Sequence, residues 1–357
     1  MSLSAAYQDR SKITAIWLFS VAVLVLVMVV VGGVTRLTDS GLSITEWARI
    51  SGALPPLNEA DWARAFEAYR QTTEYQQVNA GMSLQEFETI YWWEWVHRLL
   101  GRLIGVAFAI PFVILLVMRE IPRRLIWRCL VLLALGGLQG LIGWWMVVSG
   151  LAGRVDVAPE RLTTHLGMAL LIFVGLVWTA LEAANGEDYS RSPAGWSRGA
   201  LGLLLLVFVQ CLLGGLVAGN DAGRVFTDWP LMEGGFFPPV DWSLGAMAFL
   251  HDQGLVQFMH RLGGYAVFLA AGLFLYRAMR LRLSEGVPAA AIALMAAVFV
   301  QMLLGIFTLM TALNPWLAGF HQAGGVIVLG LATYLLWRVR RSQPRLFMSS
   351  GIASRGL

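Results

Sequence analysis

Charge is scarce in this chain of 357 residues: Asp, Glu, Lys and Arg make up 13%, against about 25% in an ordinary soluble domain. Apolar residues make up 57%, against roughly 45–50%. This balance excludes a soluble enzyme, a disordered chain and a nucleic-acid-binding domain, and with the last any nucleic-acid partner. Lysine is nearly absent, Lys12 being the only one. Cysteine is limited to Cys129 and Cys211, both inside apolar runs, which excludes a disulfide framework and a cysteine-based metal cluster. No small-residue cleavage site follows the first apolar stretch, so that stretch reads as a retained membrane helix. No nicotinamide or flavin fingerprint is present, so any redox partner is external.

Long apolar runs are abundant. A bilayer-crossing helix needs roughly 17–25 residues. Eight runs qualify, at about 14–34, 93–118, 125–148, 161–184, 198–218, 254–278, 287–312 and 317–338. Backbone groups in lipid must be satisfied within their own segment, so helices are expected. The fold class is therefore all-α integral membrane. Fifteen tryptophans suit two membrane–water interfaces.

Orientation follows from arginine. Arg10, Lys12, Arg119, Arg123, Arg124, Arg128, Arg191, Arg198, Arg277, Arg280, Arg282, Arg338, Arg340, Arg341 and Arg345 share one side, read as cytoplasmic. Most acids, Asp39, Glu74, Glu86, Asp156, Glu160, Asp221, Asp228 and Asp252 among them, lie on the other. Both termini are then inside, in tails 1–13 and 339–357. Two outer segments are long, 35–92 and 219–253. In the first, Trp62, Phe66 and Tyr69 fall at helical spacing, and Ser83 precedes Phe87 and Ile90 as an N-cap. Short amphipathic helices over the outer face are expected there, as a lid or as interfacial packing.

The chain repeats itself once. Residues 32–47 (GGVTRLTDSGLSITEW) align without a gap on 214–229 (GGLVAGNDAGRVFTDW). Pro55-Pro56 and Pro238-Pro239 follow. His97-Arg98-Leu99 is echoed by His260-Arg261-Leu262, the run from Gln139 to Gly143 by Gln301 to Gly305, and His165 by His321. Each half, 14–184 and 198–338, then holds four helices. Two four-helix bundles related by a pseudo-two-fold axis along the membrane normal are expected.

The four repeated histidines lie roughly one or two turns inside the outer helix ends, where polar groups usually face a bundle interior. Two imidazoles on facing helices can supply both axial ligands of a haem iron. Structural, hydrogen-bonded histidines are the alternative. No cysteine or carboxylate cluster completes a tetrahedral zinc set. Arg98, Arg102 and Arg261 can pair with haem propionates or snorkel to the interface. His251, outside the repeat, reads as interfacial. Glu94 precedes His97 by one turn, whereas Gln257 holds the equivalent place before His260. A carboxylate there can accept a proton or activate water, or it can simply belong to the Trp92-Trp93-Glu94-Trp95 belt.

Glu94-x-x-His97-Arg98, the echo His260-Arg261, His165, His321 and the duplicated four-helix plan resemble the haem A synthase family over about residues 14–340. The resemblance implies oxidation of the C8 methyl of haem O to a formyl group, through two hydroxylations and loss of water. It implies Glu94 as catalytic carboxylate, His97 and His165 flanking the substrate haem, and His260 and His321 as axial ligands of a resident haem b. It also implies haem O synthase as the supplying partner, a ferredoxin- or quinone-linked redox partner and a bacterial inner membrane. Haem sites near the outer face and a role in cytochrome oxidase assembly go with this. Some bacterial members carry a cysteine pair in the first outer loop; residues 35–92 hold none. Two other readings stand beside it: a dihaem b-type cytochrome in quinone-linked electron transfer, and a haem carrier. Gly136-Gly137-x-x-Gly140 and Gly101-x-x-x-Gly105 permit close packing, within the chain or in a homo-oligomer.

Overall fold

The computed structural model describes residues 10–47, 51–186, 194–280 and 286–341. Arg191, Arg282 and Arg345, and the tails 1–9 and 342–357, lie outside the described residues. Among the described residues, eight helices are long and apolar enough to span a bilayer: α1 Lys12–Leu37, α4 Leu84–Val117, α5 Arg123–Leu151, α6 Pro159–Asn185, α7 Ala194–Gly219, α9 Gln253–Arg280, α10 Gly286–Met310 and α11 Pro315–Arg340. Shorter helices α2 (Glu59–Arg70), α3 (Thr73–Gln77) and α8 (Ala248–His251) lie in the two outer segments. The chain is a multi-pass, all-α membrane protein.

Local chemistry sets the helix starts. The Ser11 side chain accepts from the Thr14 N–H at 3.2 Å, and Asn314 caps α11 immediately before Pro315. On α1, Leu18, Val21, Ala22, Val25 and Val29 form one buried stripe, while Val23 and Val27 on the other side stay exposed for lipid.

In the first half α1 packs on α4 and α6, and α5 packs on α4 and α6. The second half repeats this order: α7 packs on α9 and α11, and α10 on α9 and α11. The halves meet where α6 contacts α7 and α11 and where α1 contacts α11. At the arginine-rich end, Glu182 is fully buried and receives the Trp178 indole N–H at 2.7 Å together with Arg124 and Arg128.

One element differs from the expectation. The helix beginning after Ser83 is not a separate surface helix; it runs on into the membrane as α4, 34 residues long. Ser83 and Glu86 form a reciprocal capping box, and no Gly or Pro interrupts the chain between Leu84 and Trp92, so the helix propagates. His97 therefore lies about three to four turns into its helix. His165, His260 and His321 lie one to two turns into theirs, as expected.

The projecting end of α4 carries a small aromatic core. Phe66 and Tyr69 of α2 stack near Phe87, with ring centroids 5.0 and 5.2 Å away, and Trp62 meets Tyr91 edge-on at 5.0 Å. The amphipathic helix α2 is thus seated on α4. Beyond the local backbone and chain neighbours, nothing described lies within 4 Å of a β-carbon built at Gly105, Gly136, Gly137 or Gly140, while Gly101 faces the Met28 methyl at 3.3 Å.

Candidate functional site

Glu94 is 3% exposed and carries donors on both oxygens. The Ser43 hydroxyl and the Ile44 N–H each donate to Oε2 at 2.8 Å, and Arg98 donates to Oε1 at 2.6 Å. Arg98 also donates to the carbonyls of Ile44 at 2.8 Å and Glu46 at 3.0 Å, and its guanidinium lies 5.3 Å from the Trp47 ring centre. The loop after α1 is therefore folded onto α4 around this carboxylate. Its residues come from the repeated motif.

The second half builds the same frame with the opposite hydrogen-bonding sense. Gln257, also 3% exposed, donates to the Phe226 carbonyl at 3.0 Å. Phe226 is the repeat counterpart of Ile44 (44 + 182 = 226). Arg261 donates to Phe226 O at 3.1 Å, Leu231 O at 3.0 Å and Gln257 Oε1 at 3.3 Å. Arg98 and Arg261 thus pin the loops that follow α1 and α7. Arg102 lies one turn beyond Arg98 on the same helix.

The histidines sit in matching cradles, each formed by a glycine of the preceding spanning helix. A β-carbon built at Gly32 would lie 2.8 Å from Cε1 of His97; the distances are 2.9 Å for Gly143 and His165, 3.2 Å for Gly214 and His260, and 2.8 Å for Gly305 and His321. Only glycine lets the rings approach so closely. One turn before three of these glycines stands a glutamine. The amide nitrogens of Gln139, Gln210 and Gln301 lie 3.2, 3.1 and 3.0 Å from Nδ1 of His165, His260 and His321. Each also donates to the carbonyl of its own histidine, at 3.1, 2.8 and 2.7 Å.

His260 and His321 face each other with ring centroids 6.2 Å apart and planes at 89°. Two imidazoles bound to opposite sides of one metal at about 2 Å each place their centroids roughly 6 Å apart. The amide oxygens of Gln139, Gln210 and Gln301 are buried without a partner. A histidine bound to a metal through Nε2 carries its proton on Nδ1 and seeks an acceptor there. Each glutamine amide stands within hydrogen-bond reach of that nitrogen. The residues present fit a haem held by paired histidines.

The Gln139/Gln301 echo is visible in the sequence but carries no role there, and Gln210 is not singled out by it. Ser43 and Ile44 as partners of Glu94 were also missed; their place inside the repeated motif was the available signal. His251 stands apart from both histidine pairs, 3.9 Å from Glu160 at the start of α6.

A second departure from symmetry lies between the halves. Arg36 donates to Asp39 at 2.8 Å and to Asp221 at 2.5 Å, with Asp156 at 3.6 Å. Asp39 and Asp221 are repeat equivalents, and both take the left-handed conformation (φ 48° and 50°). The counterpart of Arg36 is Ala218.

Comparison with known proteins agrees with this picture. The sequence pattern of the COX15-CtaA family, described as "Cytochrome oxidase assembly protein", matches residues 15–333. A protein named "Heme A synthase" from Caulobacter vibrioides is 55% identical over 335 residues, 93% of this chain and 98% of that one. Proteins of the same name from Sphingopyxis alaskensis and Bradyrhizobium diazoefficiens are 48% and 47% identical, over 95% and 96% of this chain and the same shares of theirs. The chain belongs to the COX15-CtaA family of cytochrome oxidase assembly proteins.

Proposed function

We infer that this chain is a haem A synthase, oxidising the C8 methyl of haem O to a formyl group. The net change, R–CH3 + H2O to R–CHO, releases four electrons and four protons. The observation that carries the reading is the break at one place in two like frames: a carboxylate, Glu94, in the first half and an amide, Gln257, in the second. Both halves own a histidine pair, but only one owns a group able to take protons from a reacting methyl and its attacking water.

In this reading His97 and His165 flank the substrate haem, and Glu94 is the catalytic carboxylate. Ser43, Ile44 and Arg98 fix its two oxygens, so its position is set before substrate arrives. His260 and His321 hold a resident haem b, which supplies one-electron transfer away from the first half. Gln210 and Gln301 orient those two rings. Arg102 is the propionate partner in the first half. Arg98 and Arg261 are further propionate partners; their terminal nitrogens also hold loop carbonyls, while Arg261 Nε is buried without a hydrogen-bond partner. The halves 14–184 and 198–338 are the functional units.

Haem O arrives laterally from lipid, supplied by haem O synthase, and an external ferredoxin- or quinone-linked partner takes the electrons. The protein sits in a bacterial inner membrane with both termini cytoplasmic and the haem sites towards the outer face.

The test is mass analysis of haems extracted from protein co-expressed with a haem O source. Wild type is expected to carry haem A and haem b, and His260→Ala/His321→Ala to lose the haem b. Haem b alone in wild type favours the dihaem cytochrome or the haem carrier.

A further inference from the structure

Three of the four histidines are braced by an amide, and the fourth is not. Gln139, Gln210 and Gln301 each precede a cradle glycine by one turn. The residue one turn before Gly32 is Met28, the repeat counterpart of Gln210 (28 + 182 = 210). Met28 occupies the amide's place. Its terminal methyl lies 3.3 Å from a β-carbon built at Gly101, one turn after His97, just as the Gln210 amide nitrogen lies 3.7 Å from one built at Gly264, one turn after His260. His97 Nδ1 is consequently buried with no hydrogen-bond partner.

A partner on Nδ1 fixes the tautomer and orientation of a metal-bound imidazole, and its loss typically weakens binding roughly 10–100-fold. A thioether is a weak acceptor on a flexible stem and provides no such brace. We propose that Met28 is a positioning residue that leaves His97 the one unbraced haem contact, so that the first half exchanges its porphyrin while the second half retains its own. This rests on the reading that both halves bind haem. The logic is that a substrate site must release product, whereas a cofactor site must not.

The test loads the full-length, detergent-solubilised chain with haem b and follows transfer to excess apomyoglobin by absorbance. Wild type is expected to show a fast and a slow phase. Met28→Gln, nearly isosteric, slows the fast phase roughly 10–100-fold and leaves the slow phase alone. It also shifts the electron paramagnetic resonance signal of the first-half ferric haem only, which mere loosening of the bundle does not do. Gln210→Met quickens the slow phase by a similar factor. A fast phase unchanged in Met28→Gln overturns the proposal; if that variant does not fold, a slow phase unchanged in Gln210→Met overturns it. A wild-type chain that takes up no haem instead overturns the underlying reading, and this inference with it.

Discussion

Glu94 and Gln257 hold equivalent places in two like frames but reverse the hydrogen bond made there. The carboxylate accepts from the Ile44 N–H, whereas the amide donates to the Phe226 carbonyl, at repeat-equivalent loop residues. Other residues allow sharp tests. Glu74, outside the membrane spans, is 4% exposed, and burial pushes its carboxyl up to about 8. The folded chain holds this proton where the unfolded chain has lost it, so stability of the outer segment falls between about pH 4.5 and 8 and levels off above. Glu74→Gln should flatten that slope, measured as intrinsic-rate-corrected amide protection in α2 and α3. Among the cradle glycines, Gly305→Ala should disturb His321 more than Gly214→Ala disturbs His260, because the added carbon meets the ring at 2.8 rather than 3.2 Å. Haem b content of the two purified variants reads this difference. The histidines and Glu94 were legible because a repeat singles them out. Met28 was not, because an apolar residue in an apolar helix carries no signal until its neighbour's missing partner is seen.

At the scale of elements, hydropathy located all eight spans to within a few residues, apart from the outer end of α4. That end was misread because residues 84–92 are polar enough to look like surface, while nothing in them stops a helix. The capping box at Ser83 and Glu86 holds the projecting turns on which α2 is seated. Ser83→Ala should cost about 1 kcal/mol of local stability. The loss should appear as faster exchange at Phe87 and α2 while the membrane-embedded part of α4 stays protected. The loop that wraps Glu94 was legible as a recurring motif but not as a shape, since its contacts join residues about fifty positions apart in sequence.

At the scale of the molecule, the arginine bias and the repeat predict two similar halves, but no sequence pattern says which helices touch. Arg36 shows what a repeat conceals: one guanidinium, with alanine as its counterpart, joins the equivalent aspartates of both halves. Arg36→Ala should lower the thermal midpoint more than Arg224→Ala, whose nitrogen is 4.0 Å from Asp221 at a more exposed position. Differential scanning of the two variants in one detergent checks this.

In the proposed function, two like frames divide labour through Glu94 and Gln257. Glu94→Gln copies the second half's residue into the first, and the haems extracted from that variant, analysed by mass, test the claim most directly. Retained haem b with haem O or its alcohol and no haem A is the predicted result; haem A at the wild-type level would contradict it.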